Sequence, residues 1–247
     1  MAAPTLSASG ALATVTTGDL TVVLPTHTAA DILIVVVSAW VPNTTTGTNE
    51  IAAPLNWTKL LNDSLITGGI IDGEWAIFWR RGRVTPAAPN PVFVRPTSWD
   101  TGTDTNWSGR AYLVSGCAPV PDDPWDDAQK SALHSTANQA FPAVTVLAAE
   151  RTVIQFLAKS DDNGAVTAAS GWTIDTAVTT TSGTDASFQT IRQDNVSAST
   201  TADTATITAP ATGLRYQFYG ISFKPPAPLL PSMHIPANQA VQRAAVR

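Results

Sequence analysis

The sequence predicts an all-β protein, an antiparallel β-sandwich of jelly-roll-like character, and three observations lead there. Only 13% of the 247 residues are charged, whereas Thr, Ala, Ser, Asp and Pro abound; exposed helix faces usually carry many more Glu and Lys. Short β-branched apolar runs alternate with turn residues at the spacing of sandwich strands. One strand pattern is also written twice. Ala29-Ala30-Asp31 opens into Ile32-Leu33-Ile34-Val35-Val36-Val37, and Ala148-Ala149-Glu150 opens into Arg151-Thr152-Val153-Ile154-Gln155-Phe156. Both runs are too short to cross a membrane and read as strands buried on one or both faces.

Taken in order, a small-residue lead-in, Ala2 to Thr17, precedes a strand Leu20–Leu24 that stops at Pro25. Ile32–Val41 is the first buried strand, and a polar loop, Pro42–Glu50, follows. Trp57–Leu61 is a short strand, with Gly68-Gly69 and Asp72-Gly73 marking turns on either side of Ile70-Ile71. Glu74–Arg80 is apolar at almost every position, as a central strand covered on both faces should be, and Val92–Arg95 and Arg110–Val114 complete six strands.

The second half repeats the order. Ala143–Leu147 follows Pro142, Thr152–Ala158 is the echo strand, and Ser160–Gly164 is a turn. Gly171-Trp172-Thr173-Ile174 answers Asn56-Trp57-Thr58-Lys59, and Ala186–Arg192 answers Trp75–Arg81, each ending on arginine. Ala205–Thr208 and Tyr216–Phe223 bring the total to about twelve strands. The first expectation is one pseudo-symmetric sandwich over residues 1–224, with halves 18–116 and 141–224 joined by a connector, 117–140. Two smaller tandem sandwiches fit the spacing as well. In the connector, Asp123 before Pro124 suits the cap of a short helix, with Asp126 and Asp127 near its N-terminal dipole.

Beyond Phe223 the character changes. Lys224-Pro225-Pro226-Ala227-Pro228-Leu229-Leu230-Pro231 cannot continue a sheet and predicts an extended, polyproline-like arm over residues 225–247, with a helical turn or two near its basic end. Pro225, Pro226, Leu229, Leu230, Met233, Ile235, Arg243 and Arg247 are the candidate partner-binding residues of this arm.

The net charge of −5 and pI near 5.0 argue against a nucleic-acid-binding surface, which needs a basic stripe. A single cysteine, Cys117, excludes an intramolecular disulfide. The Met1-Ala2-Ala3-Pro4-Thr5 start has neither the basic nor the apolar region of a signal peptide, so assembly in a cytoplasm is expected. Nucleophile elbows, zincin motifs, phosphate-binding loops and paired-cysteine metal sites are all missing from the chain. His27, His134 and His234 fall in loop-like settings, and Cys117 reads as a small buried residue. No catalytic residue and no cofactor is expected.

Three clusters combine chemistry-bearing side chains. Asp122, Asp123, Asp126 and Asp127 crowd four carboxylates around Trp125; they are weak candidates for a metal such as Ca²⁺, with helix capping the favoured reading. Ser160–Gly164 offers oxygens in the same way, and a plain turn is favoured there. Trp99, Asp100, Asp104 and Trp107 place two indoles around a polar loop, as glycan sites do, against the alternative that Trp107 is packed in the core. Trp57 and Trp172 are expected in the core. Trp75, Ile77 and Trp79, on one strand face, are expected to be packed.

The order of a buried "AADILIVVV"-type strand, a following "GWT", a strand ending in Arg, and a Pro/Asp connector leading to "FPAVTVLAAERTVIQFLA" resembles a family of β-sandwich virion structural proteins of tailed bacteriophages. The resemblance covers roughly Gly18 to Pro226. Gly116-Cys117-Ala118-Pro119-Val120-Pro121 stands where that pattern expects a "GVD"-like segment. The resemblance implies a non-enzymatic decoration, head-fibre or minor tail protein located in the virion. Its partners would be capsid or tail proteins and other copies of itself, without nucleic acid or membrane. A glycan-binding adhesin domain, recognising a host-surface glycan, is the second reading. A glycoside hydrolase is the third and least favoured, because it needs two facing carboxylates and glutamate occurs only at Glu50, Glu74 and Glu150.

Overall fold

The computed structural model describes residues 2–40, 50–67, 70–82, 89–97, 106–131, 141–159, 166–167, 170–175, 178–179, 187–201, 206–207 and 216–227. Among them there are eighteen strands and no helix. In chain order they are β1 (Thr5–Ser9), β2 (Ala13–Val15), β3 (Leu20–Thr21), β4 (Ile32–Trp40), β5 (Thr58–Thr67), β6 (Ile70–Arg81), β7 (Val92–Phe93) and β8 (Asn106–Ser115). After the connector come β9 (Trp125–Lys130), β10 (Val144–Val146), β11 (Arg151–Lys159), β12 (Val166–Thr167), β13 (Thr173–Ile174) and β14 (Val178–Thr179). The chain closes with β15 (Ser187–Val196), β16 (Ser199–Thr201), β17 (Thr206–Ile207) and β18 (Tyr216–Phe223).

Two large antiparallel sheets dominate, one from each half. The first runs β1-β8-β4-β6-β5, with β2 also on β8; the second runs β13-β15-β11-β18-β9, with β14 also on β15. Two-stranded ribbons, β3-β7 and β10-β16, belong to the respective halves. Strand by strand, β3, β4, β5, β6, β7 and β8 correspond to β10, β11, β13, β15, β16 and β18 in both order and pairing. The repeat extends to the backbone: Asn56 and Gly171, each just before a tryptophan, both take left-handed φ, at 64° and 91°.

The sheets face one another across a shared core. Ile32, Ile34, Val36, Trp75, Ile77, Tyr112 and Val114 of the first meet Ile154, Phe156, Ala158, Phe188, Tyr219, Ile221 and Phe223 of the second. The opposite face of the first sheet, including Leu33, Val35, Val37 and Phe78, packs under Leu20, Val22 and Phe93 at the β3-β7 ribbon. That of the second packs under Phe141 and, at the β10-β16 ribbon, Val144 and Val146. β4 and β11 are therefore buried on both faces, which explains their continuous apolar runs. Each ribbon sits over a residue with no side chain. A Cβ on Gly109 would lie 2.8 Å from Val22 Cγ2, and one on Gly220 would lie 2.5 Å from Val144 Cγ2.

Several sequence expectations are corrected. The Ala2–Thr17 lead-in forms edge strands β1 and β2 on β8. Asp72-Gly73 is not a turn but lies inside β6. Arg192 stands opposite Thr173 just as Trp79 stands opposite Thr58, so the strand-ending arginines Arg81 and Arg192 are out of register by two residues. The described part of the connector forms no helix: Trp125–Lys130 extends as β9 along the free edge of β18. Backbone pairing on an open edge satisfies every second peptide group there, and Trp125 gains an edge-on contact with Trp79, at 4.5 Å between centroids.

Candidate functional site

The sandwich has two lateral openings, related by the internal repeat. On one side β9 and β18 lie beside β5 and β6, with the Lys130 ammonium donating to the Asn62 carbonyl and 3.5 Å from Asp63. On the other side β1 and β8 lie beside β13 and β15, where Arg192 Nη1 donates to the Leu6 carbonyl at 3.2 Å. The ladder registers align the two sides residue by residue. Val36 pairs with Arg110 and Ile77, while Phe156 pairs with Tyr219 and Thr190. Carried outward, the registers set Ser9 against Ala128, Arg192 against Trp79, and Asp175 against the Leu60–Leu61 bulge.

The consequence is a complete change of chemistry between equivalent positions. Ala128, Tyr219, Leu60, Leu61, Ile77 and Trp79 all belong to the shared core and close their side. Ser9, Arg110, Asp175, Thr190 and Arg192 instead line an open cleft of about 390 Å³, completed by Leu6, Ser7, Ala8 and Tyr112.

Within this cleft Arg110 donates through Nη2 to Ser9 Oγ at 2.8 Å and through Nε to the Gly10 carbonyl at 3.1 Å. Its guanidinium lies over the Tyr112 ring, 5.4 Å from the centroid. Asp175 accepts the Thr190 hydroxyl through Oδ2 at 2.8 Å, and its backbone is held by Thr190 and Gln189. Arg192 Nε forms an ion pair with Asp194 at 3.7 Å, beyond hydrogen-bond reach, and has no hydrogen-bond partner among the described residues. The Tyr112 residue is 1% exposed. Burial pushes its phenol well above the ordinary tyrosine range, with Arg110 opposing and Asp175 reinforcing the shift.

The other candidate residues have structural places. Trp107 is 1% exposed, in the core beneath the β3-β7 ribbon, so its indole offers no sugar platform; Trp99, Asp100 and Asp104 lie outside the described residues. Trp57 and Trp172 are packed against core clusters, as expected, and so are Trp75, Ile77 and Trp79. Asp126 accepts Arg151 Nε at 2.7 Å and the Leu147 amide at 3.2 Å, and Asp127 accepts the Thr145 amide at 2.8 Å. These two carboxylates fasten β9 to β10. Asp122 lends its carbonyl to Arg81 at 2.8 Å. Among the described residues no group of three potential metal ligands comes together, and Asp123 has no part in such a group.

Glu74 is fully buried, and its Oε2 accepts the Ile51 amide at 2.7 Å. Desolvation raises its pKa to about 7, against the lowering effects of that amide and of Lys59. Lys59 bridges Glu50 at 3.1 Å and Glu74 at 3.7 Å. Cys117 is buried, and its thiol is pushed up to about 12, mainly by desolvation. Ser160–Gly164, His134 and His234 lie outside the described residues. His27 Nδ1 is 2.8 Å from the Pro25 carbonyl in a loop.

Of the arm, Pro225 is buried and Pro226 half-buried. Lys224 donates its amide to the Pro124 carbonyl at 3.0 Å and accepts from the Ala118 amide at 2.9 Å, so the sandwich's own hydrogen bonding continues past Phe223. Leu229, Leu230, Met233, Ile235, Arg243 and Arg247 lie outside the described residues. No protein-family model, curated protein or solved structure matches the chain.

Proposed function

We propose that the protein is a non-enzymatic structural component of a tailed-phage virion, docking on the capsid or tail lattice as a decoration or accessory protein. The observation that carries this reading is the outward face of the β3-β7 ribbon. Val23, Val92 and Val94 point outward there, 52%, 44% and 65% exposed, and Leu55, 87% exposed, borders the same face together with Pro54, Pro89 and Pro91. A row of β-branched side chains on a short, paired ribbon is an apolar surface suited to a protein partner. The proline-rich segment from Pro225 onward supplies a second, flanking contact to the lattice or to another copy.

The carboxylates support the reading in their own way. Asp31, Glu74 and Asp126 are each engaged in holding a backbone amide of this fold. Quantitative mass spectrometry of purified particles tests the proposal: hundreds of copies indicate capsid decoration, and a few to a dozen indicate tail or neck. Absence from particles refutes it. Truncation after Ala227, which keeps the buried Pro225, is expected to leave a folded domain that no longer incorporates. Normal incorporation removes the arm from the account.

The second reading, a glycan-binding domain, loses Trp107 but gains the polar cleft between β1 and β13. That cleft is an independent feature of the same sandwich.

A further inference from the structure

We infer that the cleft between β1, β8, β13 and β15 is a binding site for a hydroxylated carboxylic acid of monosaccharide size, a sugar acid. The inference stands on the cleft itself and is independent of where the chain is assembled.

The internal repeat provides the control. A lateral opening of this sandwich closes when its positions are apolar, as Leu60, Leu61, Ile77, Trp79, Ala128 and Tyr219 show. At the equivalent opening, polar groups replace every one of them, and a volume of about 390 Å³ remains. That is the size of a small-ligand pocket. Filling the opening with hydrophobic side chains was available to this fold, and the β1 side did not take it.

The donor set points to the ligand class. Arg110 and Arg192 each keep guanidinium N–H groups beyond those that tie β1 in place, and Arg192 Nε, ion-paired with Asp194 at 3.7 Å, has no hydrogen-bond partner among the described residues. A guanidinium fork matches a carboxylate in a bidentate way. Tyr112 lines the cleft from a buried position, with the Arg110 guanidinium over its ring. Buried polar atoms without partners are costly, so a ligand that supplies the missing bonds is favoured.

Two further features select among anions. Asp175 lines the cleft, and Asp194 lies 3.7 Å from Arg192. The two arginines are thus balanced by two carboxylates, which disfavours a phosphate dianion and favours a singly charged acid. Asp175 also spends only Oδ2 on Thr190, leaving Oδ1 to accept a ligand hydroxyl. With Ser7, Ser9, Leu6 and Ala8 also lining it, the cleft pairs hydroxyl partners with a small apolar surface, as a sugar ring requires.

Calorimetric titration of the full chain with glucuronate, galacturonate and N-acetylneuraminate tests the inference, with glucose and inorganic phosphate as controls. At least one of the three acids is expected to bind saturably at one site per chain, with glucose and phosphate at least tenfold weaker. Arg192→Gln should weaken that binding tenfold or more. Because Arg192 also holds β1, a second variant, Ser7→Trp, blocks the mouth from an exposed position without touching the arginines; it should abolish binding with an unchanged melting temperature. Failure of all three acids to bind, equal binding of glucose, tighter binding of phosphate, or undiminished binding by a folded Ser7→Trp protein would each overturn the inference. None of these outcomes bears on incorporation into particles, so the two proposals fail separately.

Discussion

Replacing Glu74 by Gln is expected to stabilise the protein at neutral and alkaline pH and to do almost nothing in acid. Glu74 is fully buried under the first sheet's outer layer, with one oxygen on the Ile51 amide and Lys59 at 3.7 Å from the other. Its pKa is about 7 in the fold against 4.5 for the free side chain, with desolvation the dominant cause. The folded state therefore binds a proton that the unfolded state has released between these two values. Stability from this group is fully present below pH 4.5, falls as pH rises toward 7, and is flat above. Each tenfold difference in proton affinity between the folded and unfolded chain corresponds to about 1.4 kcal/mol, so the full swing is on the order of 3 kcal/mol. Gln keeps an acceptor for the Ile51 amide and carries no charge to desolvate. Urea unfolding followed by tryptophan fluorescence at pH 4.5, 6 and 8 measures the difference between variant and wild type. It should grow from near zero to about 2–3 kcal/mol in favour of Gln. A difference that is constant with pH, or that grows toward acid, refutes the reasoning.

Three other outcomes follow from the same structure. Asp126→Asn leaves the Arg151 guanidinium without its countercharge at a site where the two side chains are 4% and 15% exposed, and should cost about 3 kcal/mol in denaturant unfolding. Gly220→Ala places a Cβ 2.5 Å from Val144 Cγ2 and should cost about 1–3 kcal/mol by overpacking, read as a lower urea midpoint at unchanged slope. Cys117, 5% exposed with its thiol pushed up to about 12, should react with a thiol reagent at neutral pH only as fast as the chain unfolds; rapid labelling of the native protein contradicts its placement.

Much of the fold was legible in the sequence because burial on two faces leaves an unambiguous mark. Ile32–Trp40 and Arg151–Lys159 are central strands with a covered sheet face on each side, and their apolar runs say so directly. The Asn56-Trp57 and Gly171-Trp172 echo was visible because a tryptophan anchor and a left-handed turn residue recur together. Edge strands were not legible. Thr5–Ser9 and Trp125–Lys130 owe their conformation to the free edges of β8 and β18, and nothing local distinguishes them from a lead-in or a capped turn. Tertiary pairing outweighs local capping chemistry in such segments.

The cleft was hidden for a different reason. Aligning the halves on Arg81 and Arg192 slides β6 against β15 by two residues, which keeps the faces but sets each inward position of β15 against the wrong position of β6. With Trp79 aligned to Arg192, as the ladders require, the inward polar positions Asp175, Thr190 and Arg192 stand out against Leu60, Ile77 and Trp79. The sequence carried that signal once the register was known.

Native-state hydrogen exchange on Phe156→Ala tests most directly whether the two halves share one core. Phe156 is fully buried in the second sheet, and its ring meets Tyr112 of the first at 5.1 Å. Its loss should cost about 4 kcal/mol. If the core is common, amides of β4 and β11 lose protection together, by about a thousandfold in each. Loss confined to β11, β15 and β18, with β4 and β8 unchanged, would show two independent units and contradict the shared sandwich.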